Sequence, residues 1–139
     1  MIKQVIVMRS DLKTADGKNI RIGKYVAQGA HASLGVFTKE MKILQPFGVV
    51  KFTFGIVRLT VDMAKWLKDG FTKVCLLCEN EEHLQSLYEK AKENNLPCSI
   101  ITDSGRTEFN GVPTKTCIAI GPSDEKKINK ITGSLPLMK

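Results

Sequence analysis

The stretch ITDSGRTEFNGVPTKTCIAIGP (residues 101–122) sets Asp103, Arg106, Thr107, Glu108, Thr114 and Thr116 around Gly105, Gly111 and Pro113, between two apolar segments. It contains no Cys–His pair, no cluster of metal-ligating types and no phosphate-gripping glycine loop. A carboxylate at Asp103 can orient or deprotonate a water. The hydroxyls of Thr107 and Thr116 can hydrogen-bond a substrate, and Gly105 lets the backbone turn with its amides outward as oxyanion or phosphate donors. The plainer reading is an Asp-initiated D-S-G turn with threonines where strands favour them, and spacing alone leaves both open. A second group is Lys24, Gln28 and His31 in GKYVAQGAHAS (23–33). At helical spacing the three fall on roughly one face. There a lysine can offset charge on an ester or a phosphate, and His31 can act as acid or base, although its flanking alanines equally suit a packed histidine.

These residues need elements to hold them. KQVIVMR (3–9) has the unbroken apolar centre of a strand buried on both faces. From about 22 to 44, Ala27, Ala30, Leu34, Phe37 and Met41 recur at helical spacing, with Gly23, Gly29 and Gly35 reading as points of close approach to a sheet. Gln45-Pro46-Phe47-Gly48 then breaks the helix, and 49–61 is β-branched and aromatic, an extended or short-hairpin segment. VDMAKWLKDG (61–70) predicts a short helix stopped by Gly70, and TKVCLLCE (72–79) a strand. Residues 80–95 predict a helix capped by Asn80, with Leu84, Leu87, Tyr88 and Ala91 on one face. CSIIT (98–102) and TKTCIAIG (114–121) are strands, and 123–133 is a capped helix ending at Gly133. If Asp103 ends a strand, it lies at a carboxyl edge, where open α/β sheets place their sites. The alternation predicts an α/β fold with helices on both faces of a mixed sheet, its last two strands able to close as a hairpin.

The whole chain bounds what this arrangement serves. Its 139 residues suit a single domain spanning 1–139, able to bury about 70% of its unfolded surface. At 42% hydrophobic and 25% charged it reads as an ordinary globular protein, without the low apolar content of disorder or a run of some twenty apolar residues. MIKQVIVMRSDLK reads as a strand and not as a signal peptide. Cys75, Cys78, Cys98 and Cys117 lie in apolar runs, which suits a reduced, cytoplasmic chain. Cys75 and Cys78, three apart on a strand, point to opposite faces, which argues against zinc or redox chemistry. The net charge is +7, and all of the excess falls in residues 1–60, with ten Lys/Arg against three acids; residues 61–139 hold eleven of each. That asymmetry points to a polyanion as partner, although a solvated basic surface is the bland alternative.

The blocks KQVIVMRSDL, GKYVAQGAHAS, DSGRTEF, TKTCIAIGP and INKITGSLPL occur in the order found in the type 2 peptidyl-tRNA hydrolases, and the chain resembles that family over most of its length. The resemblance implies a three-layer α/β/α domain with a mixed, mainly four-stranded sheet, often dimeric. It implies hydrolysis of the ester joining a peptide to the 3′ end of tRNA, with no cofactor or metal. Carried across by position, the family's site falls on Lys24, Asp103 and Thr107 as catalytic residues, with Gln28, His31 and Thr116 beside the substrate; Arg106, between Asp103 and Thr107, is a further candidate for binding substrate. Three departures stand out. The loop KTADGKNIRI before Gly23 is longer, residues 45–60 form an extra apolar stretch containing Phe47, Phe52 and Phe54, and EFNGVPT replaces the usual P-G-T turn. The first adds Lys18 and Arg21 near the site, and with Lys13 and Lys39 they make the expected RNA face. The second is a candidate lid or dimer contact.

Two readings compete with the hydrolase. A catalytically silent module of the same fold would bind RNA or a protein, but has little use for Lys24, Asp103 and Thr107 together. An esterase or amidase for small aminoacyl compounds would keep the site without needing the basic excess.

Overall fold

The structure, a computed structural model, describes residues 1–44 and 53–139. Its chain order is β1 (Ile2–Arg9), α1 (Ile22–Thr38), β2 (Lys42–Leu44), β3 (Phe54–Ile56), α2 (Val61–Lys68), β4 (Lys73–Cys78), α3 (Glu81–Glu93), β5 (Cys98–Asp103), β6 (Thr114–Asp124) and α4 (Glu125–Thr132). A four-stranded sheet runs β4-β1-β6-β5. β1 is parallel to β4 and antiparallel to β6, and β5 pairs antiparallel with β6, so the expected hairpin and mixed sheet are both present.

Strand alternation sorts side chains into two layers. Val5, Val7, Ile118 and Ile120 pack with Leu84, Leu87 and Ala91 of α3 and Ile128 of α4. Met8, Cys117 and Ala119 point the other way, onto Ala32 and Val36 of α1 and Met63 of α2. The fold is therefore three-layer α/β/α. α3 begins at Asn80, whose side chain accepts from the His83 amide at 2.8 Å, and Thr60 caps α2 in the same way through the Met63 amide.

Helix α1 departs from its expected form in two respects. It stops at Thr38, because Lys42–Leu44 pairs with Phe54–Ile56 in a separate antiparallel ribbon and so leaves the helical path. Its packed face is also not the one its larger apolar residues suggest. Ala27, Ala30 and Leu34 are exposed, whereas Gln28, Gly29, Ala32 and Val36 are buried. Small residues bring the helix axis close to the sheet: a Cβ on Gly35 would meet Ser99 Oγ at 3.3 Å, while one on Gly23 would meet open space. Of the aromatic stretch 45–60, Phe54 is exposed on β3; Phe47 and Phe52 lie outside the described residues.

Candidate active site

α1 lies across β5 and β6, which brings its first turns against the carboxyl end of β5. Asp103 is the last residue of β5, and Lys24 is the third of α1. Lys24 Nζ donates to Asp103 Oδ1 at 2.6 Å and to Thr107 Oγ1 at 3.2 Å. One turn along α1, Gln28 Nε2 donates to the same Oδ1 at 3.1 Å. Gln28 is itself fixed from β6, where the fully buried Thr116 hydroxyl donates to its Oε1 at 2.5 Å. The Gly105 amide donates to Asp103 Oδ2 at 2.9 Å.

Both carboxylate oxygens of Asp103 are thus held. Only 12% of either side chain in the Lys24–Asp103 pair is exposed. Burial by itself would raise the Asp103 pKa, but the Lys24 hydrogen bond, the Gly105 amide, the Lys24 charge and the Gln28 amide outweigh it and hold the carboxyl below its ordinary 3.8. The Lys24 ammonium also lies 5.5 Å from the centre of the Phe109 ring, close enough for cation–π attraction.

Gly105 has a different part from the one its position in the sequence suggests. Its amide is bound to Asp103 instead of being free for an anion. Its φ of +79° and a carbonyl 2.2 Å from where a Cβ would stand make glycine necessary in this turn.

Lys24, Gln28, Asp103, Thr107 and Thr116 therefore meet in one hydrogen-bonded chain. His31 is exposed on α1 and makes no hydrogen bond to that chain among the described residues, so it is neither packed nor joined to the centre. Arg106 is exposed beside Thr107, in a cleft lined by residues 14–16, 106–108 and Asn110. Around it, Lys13 Nζ donates to Asn19 Oδ1, Lys18 pairs with Asp16 at 3.1 Å, and Arg21 pairs with Glu108 at 2.5 Å. Lys39 is elsewhere: its Nζ donates to the Cys98 carbonyl at 2.6 Å, at the end of β5 opposite to Asp103. A larger cleft lined by Thr60, Asp62, Asn94, Ser123 and Lys127 holds none of these residues.

Thiol chemistry does not fit the interior. Burial pushes the Cys117 thiol up to about 12 and Cys78 up to about 11, so both stay protonated at neutral pH. Among the described residues, no three His, Cys, Asp or Glu side chains form a group that could hold a metal ion, and no helix is long and apolar enough to cross a membrane.

Two residues gain a place that spacing did not give them. Phe109 lies under the Lys24 ammonium, and Glu108 is buried beneath Arg21. Both stand in the loop after Thr107, but only the approach of α1 and the 10–21 loop, some 85 residues earlier in the chain, makes them part of the site.

The family described as Peptidyl-tRNA hydrolase PTH2 matches residues 2–138. The chain belongs to the PTH2 family. It is 39% identical to a protein named peptidyl-tRNA hydrolase from Methanopyrus kandleri, with 100% of both chains covered. It is also 39% identical to one of the same name from Methanocaldococcus jannaschii, covering 99% of this chain and 100% of that one. A solved structure of a protein of unknown function from Agrobacterium tumefaciens shares the fold, with a TM-score of 0.55 at 15% identity over 99% of this chain and 97% of the other. Three of the five PTH2 blocks converge here: GKYVAQ supplies Lys24 and Gln28, DSGRT supplies Asp103 and Thr107, and TKTCIAIGP supplies Thr116.

Proposed function

We propose that this chain hydrolyses the ester between a peptide and the 3′ end of tRNA, with Lys24, Asp103 and Thr107 as the reacting set. The observation that carries this reading is the partly buried Lys24–Asp103 pair, braced by Gln28 and opening onto the Thr107 hydroxyl, in a member of the PTH2 family. Water adds to the ester carbonyl carbon, the bond to the 3′ oxygen breaks, and the products are a peptide acid and a free tRNA hydroxyl.

The roles within the set follow from charge. A carboxylate held below 3.8 is a weak base at neutral pH, so Asp103 serves to orient the attacking water and to fix Lys24. The Lys24 ammonium then lies ready to offset the negative charge that develops on the carbonyl oxygen. Thr107, exposed and hydrogen-bonded to Lys24, is the hydroxyl that meets the substrate. Thr116 is buried and acts through Gln28 instead of touching the ester. His31 and Arg106 complete the substrate contacts from the exposed side.

Binding of tRNA is part of the same proposal. Arg106 lines the cleft beside Thr107, Lys18 and Arg21 pair with Asp16 and Glu108 of its lining, and Lys13 precedes Thr14; their phosphate contacts give an affinity that falls with salt and depends little on tRNA sequence. We place this activity in a single domain and in the cytoplasm, where translation supplies the substrate. We further propose a homodimer, for which the exposed Ile22, Val26 and Leu34 of α1 offer apolar surface.

The deciding experiment is release of tRNA from N-acetyl-aminoacyl-tRNA, with unblocked aminoacyl-tRNA alongside, by the wild type and Asp103→Asn. Turnover of the blocked ester that is lost in the variant supports the reading. Binding of tRNA without turnover by the wild type overturns it in favour of a silent binding module.

A further inference from the structure

We propose that Arg21 and Glu108 form a subsite for one ribose–phosphate unit of the tRNA 3′ end, in which Arg21 takes the phosphate and Glu108 Oε2 accepts the sugar's 2′-hydroxyl. This rests on the peptidyl-tRNA reading and adds to it a residue with no part in the reacting set.

Glu108 is a buried acid in a loop beside the cleft. Its side chain is 5% exposed, its Oε1 accepts from Arg21 Nε at 2.5 Å, and its Oε2 is buried with no hydrogen-bond partner among the described residues. A buried acceptor left unpaired is costly, and such groups persist where function uses them. Its place relative to the ester is fixed by its neighbours: Thr107 before it is hydrogen-bonded to Lys24, Phe109 after it lies under the Lys24 ammonium, and the Ala15 amide holds its own carbonyl at 3.2 Å. Glu108 therefore stands next to the reacting centre and not on it.

Arg21 is 77% exposed while touching a side chain that is almost wholly buried, so its guanidinium lies on the solvent side of Glu108. Its Nε is engaged, and its two terminal nitrogens make no hydrogen bond among the described residues. Those nitrogens suit a phosphate, which a guanidinium binds through two parallel hydrogen bonds. A phosphate on those nitrogens sets its sugar on the solvent side of the Glu108 carboxylate, where a donor can turn to Oε2. The donor that reaches Oε2 then comes from the ligand that carries the phosphate. In RNA the neutral donor beside a 3′-phosphate is the 2′-hydroxyl of the same sugar. The terminal adenosine carries the ester at its 3′ position and has no phosphate there, so the unit is the penultimate nucleotide.

The test is cleavage of an N-acetyl-aminoacyl minihelix, all-ribose or with a single 2′-deoxy sugar at the penultimate nucleotide, by wild type and Glu108→Ala. Wild type should lose about tenfold in kcat/KM on the deoxy substrate, the size of one hydrogen bond to a charged acceptor. Glu108→Ala should lose a similar factor on the all-ribose substrate and nothing more on the deoxy one. Equal cleavage of both substrates by wild type overturns the subsite, and so does a Glu108→Ala enzyme that keeps the full deoxy penalty. If the variant does not fold, the wild-type comparison decides alone. Failure of wild type to cleave the all-ribose substrate is a separate result, which overturns the hydrolase reading itself.

Discussion

Lys24 and Arg21 stand three residues apart at the start of one helix and each pairs with a carboxylate, Asp103 at the end of β5 or Glu108 in the loop after it, yet the two pairs are built in opposite ways. Lys24–Asp103 is closed: each side chain is 12% exposed, and Gln28, Gly105 and Thr107 add further bonds. Arg21–Glu108 is open on one side, with the cation in solvent and the anion buried. A closed pair holds charge in a fixed place before substrate arrives, which is what stabilising a transition state requires. A half-open pair can exchange its partner, which suits holding a flexible polyanion. The first should therefore govern kcat and the second KM.

The largest effect expected from that contrast is at the closed pair. Asp103→Asn and Lys24→Ala should each lower kcat by about 100-fold or more, with KM for the tRNA changing little. Single-turnover kinetics on N-acetyl-aminoacyl-tRNA measures both. An Asp103→Asn enzyme with kcat intact would mean that the chemistry lies elsewhere. Next in size is the brace behind the pair. Thr116→Val keeps the side chain's volume but removes the hydroxyl that fixes Gln28, at a stability cost of about 1 kcal/mol. The expected result is a loss of roughly tenfold in kcat, as Gln28 turns and Asp103 loses one donor. A Thr116→Val enzyme that melts earlier but turns over at the wild-type rate would reduce Thr116 to a packing residue.

The closed pair was largely legible in the sequence, and the open one was not. Lys24, Gln28, Asp103, Thr107 and Thr116 stand in blocks whose order matches the PTH2 family, and the strand and helix periods around them place Asp103 at a strand end. Spacing did not assign their partners. Thr116 reads either as a substrate-binding hydroxyl or as an ordinary strand threonine until it meets Gln28, 88 positions away, and Gly105 reads as an anion donor until its amide is seen on Asp103. Spacing does not set Glu108 apart from the other polar residues of its loop, because its place depends on contacts with Arg21 and Ala15 from the 10–21 loop. The end of α1 is hidden for another reason: KEMKIL is as compatible with helix as with strand, and its pairing with Phe54–Ile56 is not visible in its own periodicity. Local pattern set the elements, and long-range contacts set the turns and the rim.

The closed pair also predicts a pH signature. The folded-state pKa of Asp103 lies below its unfolded value, so its ionisation adds stability that is fully present above about pH 4 and is lost as pH falls through the folded pKa. The stability of wild type relative to Asp103→Asn, from urea melts, should therefore shrink as pH is lowered from 5 toward 2. Over the same variants at neutral pH, kcat should show no limb assignable to Asp103. A wild-type limb near pH 6 that disappears in Asp103→Asn would instead mark Asp103 as a general base with a raised pKa, and would remove the anchoring role given to it here.

The smallest effects belong to the open rim. Lys13 and Lys18 lie in the loop before α1, with Lys13 on Asn19 and Lys18 on Asp16, and neither reaches the reacting set. If each meets one tRNA phosphate, Lys13→Ala or Lys18→Ala should raise KM a few-fold, leave kcat unchanged, and lower the slope of log affinity against log salt by about one. The change in salt slope separates this from a structural role, since a loosened loop would raise KM without altering that slope. Lys39→Ala is the internal control: its ammonium is bonded to the Cys98 carbonyl at the far end of β5, so its loss should leave the slope as it is. A slope lowered as much by Lys39→Ala as by Lys13→Ala would mean that the tRNA follows the whole length of α1, and the division between a closed centre and an open rim at the Arg21 end would no longer describe how the substrate is held.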